Sequence, residues 1–349
     1  MHVYCVGGSV RDSLLGKPGT DTDYVVLGCT EQDFLCSFPK ARKVGRNHPV
    51  FLLKGRQYTL SSAQSIDQDL KSRDLTINAL ALDQDGYLYA HPLALFDLAS
   101  KNLRPIARTN FFADPLRVFR AARFKACLED FKTSSELRSL MHQVSGFGLL
   151  NRVAHERVGR EVRLACMGNR PGHFLRLLAC TRCLQPWLTE LSESDFKHTA
   201  RIMDFMAGNE KRVWMALVHR LKTGSPNQIP GPVPDRASGS VAADIGNRLR
   251  LPNQLIAAGR CAATWQQAAC NYQSLDVSLR VRLLLDLYEH NALDDLAALA
   301  KARTGVHLSG RLKADLRAVL EVRLPLAWRN KGRSSGEYLH LLRCRALQK

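Results

Sequence analysis

The sequence predicts an α+β protein, mixed in its first third and helical beyond it, on two observations. Short β-like runs at Val3–Val6, Tyr24–Leu27, Val50–Leu53 and Tyr87–Ala90 alternate with helical stretches up to about residue 107, whereas almost everything after Phe112 carries helical periodicity. With 349 residues and 45% hydrophobic content, the chain can build two or three domains with sizeable cores. It shows no internal repeat and no low-complexity tract.

The first run, His2 to Val6, alternates apolar residues at strand period. Gly7 and Gly8 then break the strand, and Val10, Leu14 and Leu15 resume at helical spacing. A strand, a glycine turn and a helix start aim backbone N–H groups at an anion, which suits a triphosphate. Asp21 and Asp23 follow, two positions apart at the head of the Tyr24–Leu27 run, so on a strand their carboxylates face the same way. Such a pair can hold divalent ions about 4 Å apart, the arrangement for in-line nucleotidyl displacement. In the block Lys71–Leu82, Arg73 and Asp74 precede an apolar run read here as helical. A guanidinium at that point grips phosphate bidentately, and Asp74 and Asn78 supply hydrogen bonds near a ribose or a strand end. The block Ala113–Phe124 places Pro115 at a helix start with Asp114 as its N-cap, and Arg117, Arg120 and Phe124 on one face. An Asp and an Arg presented side by side can mimic a Watson–Crick edge.

The order GGSVRDSLLG, DTDYVV, KSRDLTINALAL, ADPLRVFRAARF and HERVGREV, spread over about the first 165 residues, resembles the class II tRNA nucleotidyltransferases: the bacterial CCA-adding enzymes and their poly(A) polymerase relatives. The resemblance implies a polymerase β-like head over residues 1–107, a base-selecting neck over 108–165, and a helical body and tail over 166–349 that grips tRNA. It implies that Gly8 and Arg11 contact the triphosphate, that Asp21 and Asp23 hold Mg²⁺, and that Arg73 meets the phosphate and sugar of the nucleotide. Asp114 and Arg117 would pair with CTP or ATP, with Arg120 close by. His155–Val158 would support the neck. The implied activity is template-independent addition of CCA, or CC, to the tRNA 3′ end, with no stable protein partner. A poly(A) polymerase and a catalytically weak tRNA-binding paralogue are the alternative readings.

Several positions depart from the family pattern. Ser72 stands where a second arginine usually precedes Arg73, Ala113 where an acidic residue precedes Asp114, and Ser62 where an arginine is usual. Gln57 falls where the family carries a third carboxylate on a neighbouring strand, and an amide cannot accept a proton from a 3′-hydroxyl. The segment Ser61–Leu70 is short where the family has a flexible loop that helps the site change from CTP to ATP. The C-terminal half resembles an eroded HD phosphohydrolase domain: His219-Arg220 replaces a His-Asp metal pair, Arg236–Ser240 a histidine cluster, and Gln266-Gln267 a later His-Asp pair. Guanidinium, hydroxyl and amide groups give a transition metal nothing to form around. The expectation is a helical scaffold without hydrolase activity, in which His219 is not a ligand.

Composition agrees with a polyanionic partner. Fifty Lys and Arg against 32 Asp and Glu give a formal charge of +18, enough to attract RNA without specifying sequence. Aromatic content of 7% is too low to favour a base-stacking single-strand module. No apolar stretch reaches transmembrane length and no signal segment is recognisable, so a cytoplasmic location without membrane contact is expected. The ten cysteines then read as reduced thiols, Cys180 and Cys183 as two buried helix residues. The stretch Gly224–Gly239, with four prolines, reads as a loop, and Arg329–Lys349 as a basic, partly mobile terminus.

Overall fold

A computed structural model describes residues 1–17, 22–45, 49–191, 195–221 and 234–348. Two compact units divide the chain: residues 1–121 with 130–152, and residues 122–129 with 153–349.

The first unit runs β1 (His2–Val6), α1 (Gly8–Leu14), β2 (Asp23–Leu27), α2 (Glu31–Ser37), β3 (Arg42–Val44), β4 (Val50–Leu53), β5 (Arg56–Leu60), α3 (Ile66–Lys71), β6 (Leu80–Leu82), β7 (Leu88–Ala90), α4 (Ala94–Ala99), β8 (Asn102–Leu103) and α5 (Arg108–Ala113). It continues through α6 (Arg117–Cys127), which crosses into the second unit, and then β9 (Lys132–Thr133) and α7 (Ser135–Gly146). Seven strands form one sheet in the order β3-β4-β5-β2-β1-β6-β7, antiparallel except for the parallel pair β2 and β5.

Alternation decides which helix covers which face. Val6, Val25, Leu27 and Ala81 pack with Ile66 and Leu70 of α3. On the other face Val26 packs with Phe34 of α2 and Phe51 of β4, and Leu80 with Val10 of α1 and Ala94 of α4. Phe34 and Phe51 are fully buried, each contributing about 1.5–3 kcal/mol by area removed from water.

The four strands expected from sequence are present, and three more join them. β3 is exposed at all three positions and carries no apolar alternation to read. β6 corrects the expectation of a helix after Asp74: Thr76–Asn78 is a short 3₁₀ turn, and Leu80–Leu82 is a strand between β1 and β7. A short apolar run buried on both faces has no periodicity to separate strand from helix, and here unfilled pairing edges on two sides decide for strand. Pro115 is not the helix start expected: α6 begins at Arg117, and Pro115 and Leu116 form the turn into it. Asp114 is the C-cap of α5, and its carbonyl accepts the Arg117 N–H at 3.1 Å.

The second unit is helical: α8 (His155–Cys166), α9 (Gly172–Cys180), α10 (Phe196–Phe205), α11 (Glu210–Val218), α12 (Arg236–Arg248), α13 (Asn253–Cys270), α14 (Val277–Glu289), α15 (Leu293–Thr304), α16 (Ser309–Glu321) and α17 (Arg333–Ala346). Trp214 of α11 is its largest fully buried side chain. Helices α12 and α13 approach so closely that a Cβ on Gly239 would overlap Thr264. The loop expected over Gly224–Gly239 falls on residues 224–233 outside the described set, and its last four positions begin α12, capped by the Asp235 side chain on the Ser238 N–H. The terminal basic segment is largely the helix α17. Cys183 is buried as expected, whereas Cys180, the last residue of α9, is exposed.

Candidate active site

The candidate site gathers at the edge where β1 ends and β2 and β5 begin. Gly7 takes φ +69° and caps α1, and its N–H donates to the Leu80 carbonyl at 2.9 Å. The positive φ is what favours glycine at this turn, and a Cβ there would stand 3.0 Å from Arg73 Nη1, close enough to press on the arginine that lies against it. Gly8 opens α1, one turn before Arg11.

Arg11 is 7% exposed. Its Nη1 donates to Asn78 Oδ1 at 2.6 Å, and its Nε and Nη2 engage the Asp12 carboxylate at 2.9 and 2.8 Å. Asn78 continues the chain of bonds, donating through Nδ2 to Asp74 Oδ1 at 3.0 Å. The same oxygen accepts the Leu75 N–H at 2.8 Å, and Asp74 Oδ2 accepts from Arg120 Nε at 2.7 Å. Burial alone would raise the Asp74 carboxyl, but the Arg120 charge and the bonds from Asn78, Arg120 and Leu75 hold it well below the usual carboxylate range. Arg73 bonds Asp69 Oδ2 through Nε and Nη2 at 3.1 and 2.9 Å, and Ser61 Oγ donates to Asp69 Oδ1 at 2.9 Å.

The sheet register sets the acidic strand end. Asp23 pairs with Val6 of β1 on one side and with Gln57 of β5 on the other, so Asp23 and Gln57 share the face covered by α3. Asp23 is exposed and Gln57 half-buried. A carboxylate at an exposed strand end is the hard oxygen donor that magnesium prefers, so Asp23 fits a divalent ion. Asp21 lies outside the described residues.

The structure thus joins Arg11, Asp74, Asn78 and Arg120 in one network, sets Arg73 against Gly7, and keeps Asp114 and Arg117 together across a single turn. Asp74 and Asn78, read from sequence as hydrogen-bonding groups near a ribose, have their polar atoms turned inward. Asp12, Asp69 and Ser61 were not anticipated. The spacing of Asp69 to Arg73, one helical turn, was the available signal for the second of these. The HERVGREV block forms α8, where His155 Nδ1 lies 2.8 Å from the Arg248 carbonyl oxygen and Glu161, 5% exposed, takes Arg123 Nε at 2.6 Å.

The positions matched to an HD domain hold no grouped metal ligands. His219 is 1% exposed, Arg220 pairs with Asp195 at 3.2 Å, and Gln266 accepts from Arg303. Among the described residues the one grouping of potential ligands is Cys261, Asp286 and His290. Arg260 Nη2 sits in it, 2.7 Å from Asp286 Oδ1 and 3.3 Å from His290 Nε2, and burial pushes the Cys261 thiol up to about 12. A cation is already there and the thiol is held protonated, so the group is an ion-pair cluster.

No protein-family model matches the chain. A CCA-adding enzyme of Pseudomonas putida (strain F1) is 32% identical over 294 residues, 77% of this chain and 75% of that protein. A multifunctional CCA protein of Tolumonas auensis is 38% identical over 213 residues, 55% of this chain and 51% of that one. The crystal structure of the Bacillus stearothermophilus CCA-adding enzyme in complex with CTP superposes with a TM-score of 0.73 at 25% identity, covering 99% of this chain and 88% of the other.

Proposed function

The chain belongs to the CCA-adding family of tRNA nucleotidyltransferases, and from that membership we propose how its own residues divide the work. The activity is transfer of nucleotides from CTP and ATP to the 3′ end of tRNA, with release of pyrophosphate. The observation that best supports the site assignment is the run of bonds Asp12–Arg11–Asn78–Asp74–Arg120, because it fastens three separated sequence blocks to one another.

In this reading residues 1–107 are the catalytic head, 108–165 the neck that selects the base, and 166–349 the body and tail that hold tRNA. Asp23, with Asp21, would hold Mg²⁺, which when bound activates the tRNA 3′-hydroxyl and neutralises charge on the departing pyrophosphate. The hydroxyl oxygen attacks the α-phosphorus in line, and the bond to the β-phosphate oxygen breaks. Gly8 leaves room for the triphosphate. Arg73, held by Asp69, offers its remaining donor edge to phosphate and sugar. Arg11 is committed to Asn78 and Asp12, so its share is to fix the glycine turn and add positive potential. Asp114 and Arg117 offer an acceptor and donors to the base edge of CTP or ATP. Arg120, anchored on Asp74, sets the angle at which α6 presents them.

Substrate tRNA is met in the cytoplasm, where the protein is proposed to act; among the described residues no helix is long and apolar enough to cross a membrane. A second reading, a catalytically weak paralogue, is favoured by Gln57 beside Asp23, an amide that cannot take the hydroxyl proton. The deciding experiment is a sized-product assay with tRNA ending at the discriminator base, tRNA-C and tRNA-CC, each against single NTPs. Stepwise C addition, with or without the final A, supports the proposal, long tails from ATP alone point to poly(A) synthesis, and no incorporation selects the weak paralogue.

A further inference from the structure

Two aromatic rings and a guanidinium stand together on the surface of the first unit, and the nucleotide site leaves them unused. Arg108 and Phe112 lie four positions apart on one face of α5, with the guanidinium carbon 4.7 Å from the Phe112 ring centre. The Phe147 ring meets Phe112 at 5.6 Å and 61°, edge to face. Phe147 ends α7, its N–H donating to the Gln143 carbonyl at 2.9 Å, and it is 64% exposed. Single exposed apolar side chains are ordinary on a protein surface. Here two rings are set against each other and a cation lies over one of them.

The chain on either side of these rings is cationic. Residues 98–113, which carry Arg108 and Phe112, contain Lys101 and Arg104 and no carboxylate; residues 137–152, which carry Phe147, contain Arg138 and Arg152 and again none. Lys101 and Arg104 are paired with Asp130 and Asp97. Arg108, Arg138 and Arg152 have no carboxylate partner among the described residues, and Arg108 is exposed with its donor edge free. Asn110, on the opposite side of α5, donates to the Lys71 and Arg73 carbonyls at 2.8 Å each. The rings therefore stand on the side of α5 turned from Arg73, clear of the residues proposed to hold the incoming triphosphate.

An apolar protein segment would cover the rings and make no use of the cation, and a second copy of this surface would bring like charges together. A nucleotide uses both features: its base stacks on the open Phe147 ring, and its phosphate takes the free donor fork of Arg108. Stacking of this kind needs an unpaired base. The 3′ strand that the reaction extends supplies one, and α5 runs directly into Asp114 and Arg117. We propose that Arg108, Phe112 and Phe147 form a stacking ledge for an unpaired nucleotide of the tRNA 3′ strand, upstream of the reacting hydroxyl. The low aromatic content of the chain argues against an array of such rings, and a single ledge needs only this pair. The inference rests on tRNA being the substrate, and it makes Phe112 and Phe147 positioning residues that hold the RNA end without touching the reacting atoms.

The test measures filter binding of the full chain, over a range of salt, to tRNA-CC and to the same tRNA trimmed to a blunt acceptor stem. Phe147→Ala should weaken binding of tRNA-CC about tenfold, the scale of one lost base–aromatic stack, and leave binding of the blunt tRNA unchanged. Phe147→Tyr should keep wild-type affinity, whereas Phe147→Leu, apolar but without a π face, should fall with alanine. Arg108→Gln should lower the salt slope for tRNA-CC by about one, as expected for one lost phosphate contact. In C addition to tRNA-C, Phe147→Ala should raise KM for tRNA and leave KM for CTP where it was. Equal loss on both RNAs, an affinity for tRNA-CC unmoved by Phe147→Ala, or leucine serving as well as tyrosine would each overturn the ledge. A sedimentation mass that halves in Phe147→Ala would overturn it too, by giving the face to a second copy. Wild-type protein that binds neither RNA would overturn the tRNA reading along with the ledge, whereas wild-type binding without these variant effects overturns the ledge alone.

Discussion

Arg120 Nε donates to Asp74 Oδ2 at 2.7 Å, and through this bond the start of α6 is tied to the turn that precedes β6. Asp74 is 4% exposed and Arg120 half-exposed, so the partner left behind by a deletion is not equally costly on the two sides. Asp74→Asn should lose about 1–3 kcal/mol of stability, less than a fully buried pair because water reaches the guanidinium. The sign of the pH effect follows from the depressed carboxyl. The contribution is present above the unfolded Asp value of about 3.9 and is lost as pH falls below it towards the folded value. Thermal melts should therefore show a gap between wild type and Asp74→Asn that is constant from neutral pH down to about 5 and narrows below about 4. A gap that widens in acid would refute this account of the pair.

Asp23 and Gln57 are partners in a parallel register, and that adjacency carries two opposite expectations. Asp21→Ala or Asp23→Ala should abolish incorporation, since a lone carboxylate cannot hold the metal charge, while filter-binding affinity for tRNA stays near wild type. Gln57→Glu should do the reverse. It supplies an acceptor for the 3′-hydroxyl proton beside the metal carboxylate, where general-base catalysis is worth about 10²–10⁴-fold, so single-turnover C addition should rise at least several-fold. A rate equal to or below wild type would remove Gln57 from the reaction.

How much of this was legible beforehand depends on the kind of signal. Asp21-x-Asp23, Gly7-Gly8 and Asp114-x-x-Arg117 are local patterns, and the sequence order alone brought them into one hypothesis. β6 was misread because Leu80–Leu82 is buried on both faces, and such a run has no period. The start of α6 lies two residues later than Pro115 suggests, because Pro115 begins a turn before the helix proper. The Asp74–Arg120 and Arg123–Glu161 pairs span 46 and 38 positions, separations that no window on the sequence can join. Gln57 was placed beside Asp23 only by resemblance, and the register supplied the physical reason.

Base selection is expected to reside at Asp114 and Arg117. A good bidentate pairing is worth about 1–3 kcal/mol of discrimination, so Asp114→Ala or Arg117→Ala should admit UTP or GTP as well as slow C addition. Competition between labelled CTP and the other nucleotides on one tRNA measures the ratio directly. Variants that lose rate but keep wild-type selectivity would place the reader elsewhere.

The helical unit should show no hydrolase turnover. With Arg220 paired to Asp195 and Gln266 to Arg303, the positions matched to an HD site offer no second imidazole or carboxylate for a metal beside His219. Adding Ni²⁺, Mn²⁺ or Co²⁺ should give no phosphatase and no 2′,3′-cyclic phosphodiesterase activity. Metal-dependent cleavage that disappears in His219→Ala would reveal a rearranged centre.

Product length is expected to depend on the connection after β5. Residues 61–65 lead directly into α3, whose N-cap is Ser65, and Ser61 is itself bonded to Asp69. This leaves little chain that can move independently, whereas the family resemblance implies a moving segment for the change from CTP to ATP. The pocket in its starting form should accept C twice without any such change. Extension of tRNA to CC is therefore expected to be efficient, and A addition to tRNA-CC slower or undetectable. Freeing the segment should partly reverse this: Ser61→Ala removes the tie to Asp69, and it should raise the A-addition rate relative to C addition in single-turnover assays. Wild-type A addition as fast as C addition would show that the short link suffices, and an unchanged ratio in Ser61→Ala would show that this tie does not restrain the pocket.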